Sequence, residues 1–201
     1  MKFIRIFQNI LIGISLLILS VLPLLVAFGD MRSELIGWLY LTSFILVFVV
    51  MLIRPLADIF SSVKIFRKVV CLRKGFGILS ASIVVGFMIG KIIAPESQYI
   101  MLMFTSAYWS LENCVVFAHI GDITGLILLL TSNNFSMLLL KKNWKRIQKL
   151  AYVYFYAGGI YEACSADSVF SIVAMTVVTT AVIVAFFMNY KNMHHPLVVV
   201  A

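Results

Sequence analysis

Residues 6–29 form a run of 24 positions without one charged side chain. About 20 apolar residues let a helix cross the roughly 30 Å hydrocarbon core of a bilayer. Lipid offers no hydrogen-bond partner to an open backbone, so such a run must be helical throughout. Two more runs share the property: residues 35–53, with 19 uncharged positions, and residues 168–190, with 23. Composition agrees, because 63% of residues are hydrophobic, mean hydropathy is +1.07 and only 12% are charged. A soluble domain carries about a quarter charged residues, so the surplus apolar surface needs lipid as its solvent. The sequence therefore predicts an all-α, polytopic membrane helix bundle, one integral domain over residues 1–201. Lys2 and Arg5 precede the first run as they would in a signal peptide. The run is long for that role and no A-x-A cleavage pattern follows, so it reads as a retained first span.

The remaining spans follow from charge and punctuation. Arg54-Pro55 is expected to stop the second span, since proline cannot extend the hydrogen-bond ladder. A third span runs from 75 to about 94, a fourth from about 115 to 137, and a fifth over roughly 146–163. Residues 97–111 are uncharged but number only 15 and carry Tyr99, Tyr108 and Trp109. They read as an interfacial or re-entrant segment rather than a crossing. With six spans and the N-terminus in the cytoplasm, 14 of 16 lysines and arginines fall inside, and seven of eight acids fall outside. Lysine and arginine bias sets orientation, so this segregation predicts six crossings with both termini inside. It also accounts for the net charge of +8 without nucleic acid, which is not expected as a partner.

Three stretches carry a family resemblance. Leu72-Arg73-Lys74-Gly75-Phe76-Gly77-Ile78-Leu79 sets a basic pair before an apolar-Gly-apolar helix start. Gly125 to Ser132 ends an apolar helix in Leu-Thr-Ser. Trp144-Lys145-Arg146-Ile147-Gln148-Lys149-Leu150-Ala151-Tyr152 places a tryptophan and basic residues before a further helix. Over about residues 34–163 this pattern resembles the ferric-reductase-like transmembrane family. The nearest likeness is to the haem-binding membrane subunit of the bacterial periplasmic methionine sulfoxide reductase system. The resemblance implies a multi-pass protein of a bacterial inner membrane that holds haem b on histidines and passes electrons across the bilayer. Carried over by position, the haem ligands fall at Phe87, Gln148 and Tyr161, none of which is histidine. Phenylalanine cannot ligate iron, a glutamine amide is a poor ligand, and only tyrosine has a precedent as an axial phenolate. The resemblance thus implies an electron-transfer subunit with altered or lost haem binding.

Other groups that could carry chemistry are few. His119 and Asp122 stand three residues apart on one helix face, as a proton-handling pair or half a metal site. The simpler reading is a polar pair at the bilayer edge, satisfied by water. Tyr152, Tyr154, Tyr156 and Tyr161 read first as packing and interfacial anchors. Cys114 and Cys164 are expected to be unpaired, with a disulfide as the alternative where their face is oxidising. The adjacent His194 and His195 read as a solvated tail. No dinucleotide, phosphate-loop or hydrolase motif occurs, so any electron donor or acceptor would be another protein chain. Two further readings stand beside electron transfer. One is a cofactor-free membrane scaffold or partner-binding subunit of the same fold. The other is a small transporter, resting on His119, Asp122 and the Asn133-Asn134 pair.

Overall fold

The computed structural model describes residues 2–29, 31–60, 63, 68–95, 97–111, 114–165 and 167–194. Asp30, Lys64, Arg67, Glu96, Glu112 and His195, which entered the sequence reading, lie outside the described residues. Long uncharged sequence becomes long helix. The elements are α1 (Lys2–Phe28), α2 (Ser33–Ile59), α3 (Arg73–Ile93), α4 (Tyr99–Leu102), α5 (Val115–Thr131), α6 (Asn134–Leu140), α7 (Lys142–Ile147), α8 (Leu150–Ser165) and α9 (Val169–His194). Two 3₁₀ turns, Val70–Leu72 and Ser106–Trp109, complete the set, and no strand occurs among the described residues. Four helical segments are long and apolar enough to cross a membrane: Ile4–Phe28, Ser33–Ile59, Val70–Ile93 and Val169–Tyr190. With Leu16, Leu17, Phe186 and Phe187 among many large apolar side chains left exposed, the chain is a multi-pass integral membrane protein.

Three boundaries differ from the sequence reading, each for a local reason. α2 does not stop at Pro55 but continues to Ile59 with that proline buried. Proline removes one hydrogen bond, to Met51, and a helix held by its neighbours tolerates the loss. Arg73 donates from Nε to the Val50 carbonyl at 3.1 Å, feeding the backbone next to the gap. The fourth span was expected to reach residue 137, yet α5 ends at Thr131. There the polar residues compete with the helix. The Thr131 and Ser132 hydroxyls donate back to the Ile127 and Leu128 carbonyls, and Asn133 caps α6 by accepting from the Ser136 amide at 2.6 Å. The Trp144 indole then donates to the Thr131 carbonyl at 2.9 Å and seals the break. The fifth helix begins at Leu150 rather than 146, after a turn at Gln148 and Lys149. With 17 and 16 residues, α5 and α8 are about 26 and 24 Å long.

Helices α2, α3, α5 and α8 pack in a closed ring, each against the next. α1 lies outside the ring against α3, and α9 lies outside it against α2 and α8. Lipid supplies no hydrophobic drive between helices, so close backbone approach and buried hydrogen bonds must hold them. At the α1–α3 seam the approach is tight. A Cβ on Gly90 would sit 2.5 Å from Val26 Cβ and 3.0 Å from the Pro23 carbonyl oxygen. Around the ring the core is aromatic. Phe155 of α8 is fully buried and stacks on Phe44 of α2, with ring centres 5.5 Å apart.

A polar cavity inside the helix ring

The ring is not filled. It leaves a partly open cavity of about 180 Å³ to which all four helices contribute. α2 presents Tyr40, Ser43 and Phe44, α3 presents Val84 and Lys91, α5 presents Ala118, His119 and Asp122, and α8 presents Tyr154, Tyr161 and Glu162. The floor is a knot of hydroxyls. Tyr154 OH lies 3.0 Å from Ser80 Oγ and 3.2 Å from Ser43 Oγ, and the two serine oxygens are 2.9 Å apart. Ser80 Oγ also donates to the Ser43 carbonyl at 2.9 Å. Each hydroxyl is therefore satisfied by protein, as a dry interior requires.

The opposite end is built around His119 and Asp122. One helical turn apart, they face the cavity with only 8% and 9% of their surfaces exposed. The segment between α3 and α5 covers them. Tyr99 OH donates to Asp122 Oδ2 at 3.2 Å, and Tyr108 OH donates to Tyr99 OH at 2.9 Å. The Tyr108 ring lies flat on the His119 imidazole, centres 3.3 Å apart and planes within 11°. Burial pushes the Tyr99 and Tyr108 phenols above the ordinary tyrosine range, and the Asp122 charge adds to both shifts. Lys91 Nζ lies 5.8 Å over the Tyr99 ring, and Ser97 Oγ donates to the Lys91 carbonyl, holding the cover to the end of α3.

Residues 97–111, read from the sequence as an interfacial or re-entrant segment, form a cover of two short helical pieces. The water-bathed polar pair expected at 119 and 122 is instead roofed by two tyrosines and a tryptophan. The cysteines also differ from expectation. Cys114 and Cys164 are joined as a disulfide across 50 residues, fastening the start of α5 to the end of α8. Spacing could not show this, because only folding brings the two helix ends to one side of the ring.

The two histidine nitrogens are the unusual feature. Neither Nδ1 nor Nε2 of His119 has a hydrogen-bond partner among the described residues, and both are buried. Asp122 Oδ2 is 4.0 Å from Nδ1, beyond hydrogen-bonding range. No group of three His, Cys, Asp or Glu side chains placed to hold a metal ion occurs among the described residues.

The three haem-ligand positions are not brought together. Phe87 is 2% exposed, stacks on Tyr40 with ring centres 4.7 Å apart, and packs with Ile83 against Leu22 of α1. Gln148 lies outside the ring's interior, with Nε2 donating to Thr131 Oγ1 at 3.5 Å. Only Tyr161 reaches the cavity. A cavity of 180 Å³ falls below the roughly 300–1,000 Å³ of sites for drug-sized ligands, and a haem is larger than most of those. These residues therefore do not fit a haem. Sequence reasoning missed Lys91, Tyr99, Tyr108 and Glu162 as members of one site, since they come from separate elements with no shared motif. No protein-family model, curated protein or solved structure matches the chain.

Proposed function

We propose that the chain is a cofactor-free bacterial inner-membrane subunit, built on the ferric-reductase-like plan, that scaffolds or binds a partner protein rather than carrying electrons. The observation that carries this reading is Phe87, which occupies a ligand position as a packed aromatic stacked on Tyr40. Iron at that position would have no donor atom, and its space is taken by carbon. In this reading α5 and α8 are the fourth and fifth of six crossings, with both termini in the cytoplasm. Their shortfall against a 30 Å core is met by local thinning and by the basic residues beside α7 and α8 that reach the headgroups. The segregation of lysine and arginine supports that topology.

The test is an absorption spectrum of the full chain, expressed with a haem precursor supplied and purified in mild detergent. A protein of intact helicity without a Soret band is the expected result. A Soret band at one haem per chain would overturn the proposal and restore electron transfer.

A further inference from the structure

We infer that α6 and α7 form an interfacial arm that binds anionic phospholipid, with a stripe of basic side chains on α7 holding the phosphate headgroups. The sequence supplies two unlike pieces in succession. Residues 134–140 are apolar but for Asn134 and Ser136, and residues 141–149 hold Lys141, Lys142, Lys145, Arg146 and Lys149. Between Asp122 and Glu162 no acidic residue occurs.

Local structure holds the two pieces in place and turns them apart. Asn133 caps α6, Ser136 Oγ donates to the Leu130 carbonyl at 2.9 Å, and the Trp144 indole ties α7 to the end of α5. Between the helices Lys141 takes a φ of 47°, a value that a lysine adopts where its surroundings impose it, so the chain turns a corner there. Past the corner, Lys142, Lys145, Arg146 and Lys149 follow at intervals of three and four. That spacing sets them on one face of α7 and the turn after it. All four are exposed. Trp144 and Gln148, on the other face, are half-buried and hydrogen-bonded to Thr131.

Exposed carbon and unpaired charge together select the partner. Phe135, Leu138 and Leu139 of α6 leave 73%, 71% and 70% of their surfaces exposed. Carbon of that kind at the edge of a membrane bundle is covered by acyl chains. The five cations beside it make no ion pair among the described residues. Asp58, the one acid that the proposed topology puts on the same side of the membrane, accepts instead from Asn189 at 3.5 Å. Charge complementarity therefore favours a phosphate on a lipid of net negative charge over a zwitterion, whose ammonium would meet five like charges. Orientation alone asks for positive charge somewhere in a connection. It does not ask for a stripe beside an exposed apolar helix, and that juxtaposition is what an interfacial lipid-binding element needs. A nucleic acid or a phosphorylated protein would match the charge but leave Phe135 and the leucines bare. The proposal uses the six-crossing topology to name the leaflet the arm meets, and the absorption spectrum has no bearing on it.

Trp144 sits inside the arm and can report on it. The full-length protein with Trp38→Phe and Trp109→Phe keeps Trp144 as its one tryptophan. It is reconstituted in phosphatidylcholine vesicles with a rising share of brominated phosphatidylglycerol or of brominated phosphatidylcholine, and fluorescence quenching gives the relative binding constant. The anionic lipid should bind more tightly by about fivefold or more, as the attraction of even one surface lysine implies. Salt at about 1 M should abolish the preference, which tests the charge without any substitution in the arm. Lys142→Gln, Lys145→Gln and Arg146→Gln together should bring the ratio to about one, with helicity unchanged by circular dichroism. Equal quenching by the two lipids, or a preference that survives both salt and the triple variant, would overturn the proposal. Displacement of phosphatidylglycerol by soluble glycerol phosphate would do so too, by assigning the stripe to a soluble phosphate.

Discussion

The hydroxyl knot at the cavity floor gives the sharpest quantitative handle on what holds the ring together. Tyr154→Phe removes one oxygen and no ring atom, so it opens no void larger than a hydroxyl. One phenolic proton is lost, shared between Ser80 Oγ at 3.0 Å and Ser43 Oγ at 3.2 Å. Nothing is orphaned, because Ser80 Oγ still donates to the Ser43 carbonyl and Ser43 Oγ to the Ser80 carbonyl at 3.1 Å. A net hydrogen bond is worth about 0.5–1.5 kcal/mol in general and about 0.6 kcal/mol on average inside membranes. The variant should therefore lose about 0.5–1.5 kcal/mol. Ser80→Ala removes three contacts, to the Ser43 carbonyl, Ser43 Oγ and Tyr154 OH, the last shared with Tyr154→Phe, and leaves Tyr154 free to turn fully to Ser43, so its cost should be similar. Because both act on one knot, the double variant should cost less than the sum, with a coupling of about 0.5 kcal/mol or more. Reversible unfolding of the purified protein in mixed micelles, followed by circular dichroism, measures all three. A Tyr154→Phe change below about 0.3 kcal/mol, or strict additivity with Ser80→Ala, would refute the claim that this knot fastens α2, α3 and α8 to one another.

Two further outcomes follow from the same packing. Gly90→Ala should destabilise the bundle by about 1–3 kcal/mol, because its Cβ would meet Val26 and the Pro23 backbone. Gly77→Ala, where nothing lies within 4 Å, should be neutral or stabilising by up to about 1 kcal/mol, and the pair is read in the same unfolding assay. At alkaline pH the Tyr99 and Tyr108 phenols should resist ionisation. Raised in the fold, they contribute stability below the ordinary phenol value of about 10, and that contribution fades as pH rises through their folded values. Absorbance near 295 nm should then show a class of tyrosines that ionises only as helicity is lost, and Asp122→Asn should bring that class down towards the ordinary range.

What could be read from the chain alone was whatever a single run of residues decides. Residues 6–29 had to be a helix because lipid leaves the backbone no alternative, and α1 covers almost all of them. Residues 97–111 were too short and too aromatic to cross, and they fold as two brief turns. The readings that changed depend on a second segment. Pro55 ends a helix in isolation but not where the carbonyl beside the gap accepts from Arg73. The 115–137 stretch looks continuous until Trp144 is seen capping Thr131. The cavity is the extreme case. Lys91, Tyr99, Asp122 and Glu162 are each ordinary at a membrane edge, and only the ring places three of them around one space beneath the fourth.

That ring also explains why a void survives in a chain with so much carbon to fill it. Phe87 has turned to the α1 side of α3, where Leu22 and Ile83 enclose it, so its bulk is spent outside the ring. On the opposite wall Gly158 and Ala118 offer no side chain long enough to cross the gap. Below, the three hydroxyls fix the spacing of α2, α3 and α8, and above, the disulfide fixes α5 to α8. A collapse would have to break one of these ties and bury the half-exposed Glu162 against carbon. The fixed spacing thus holds the cavity open, with Glu162 at its polar end. A lining change such as Ala118→Leu should therefore fill the cavity while leaving the bundle folded, as unfolding in mixed micelles followed by circular dichroism would show.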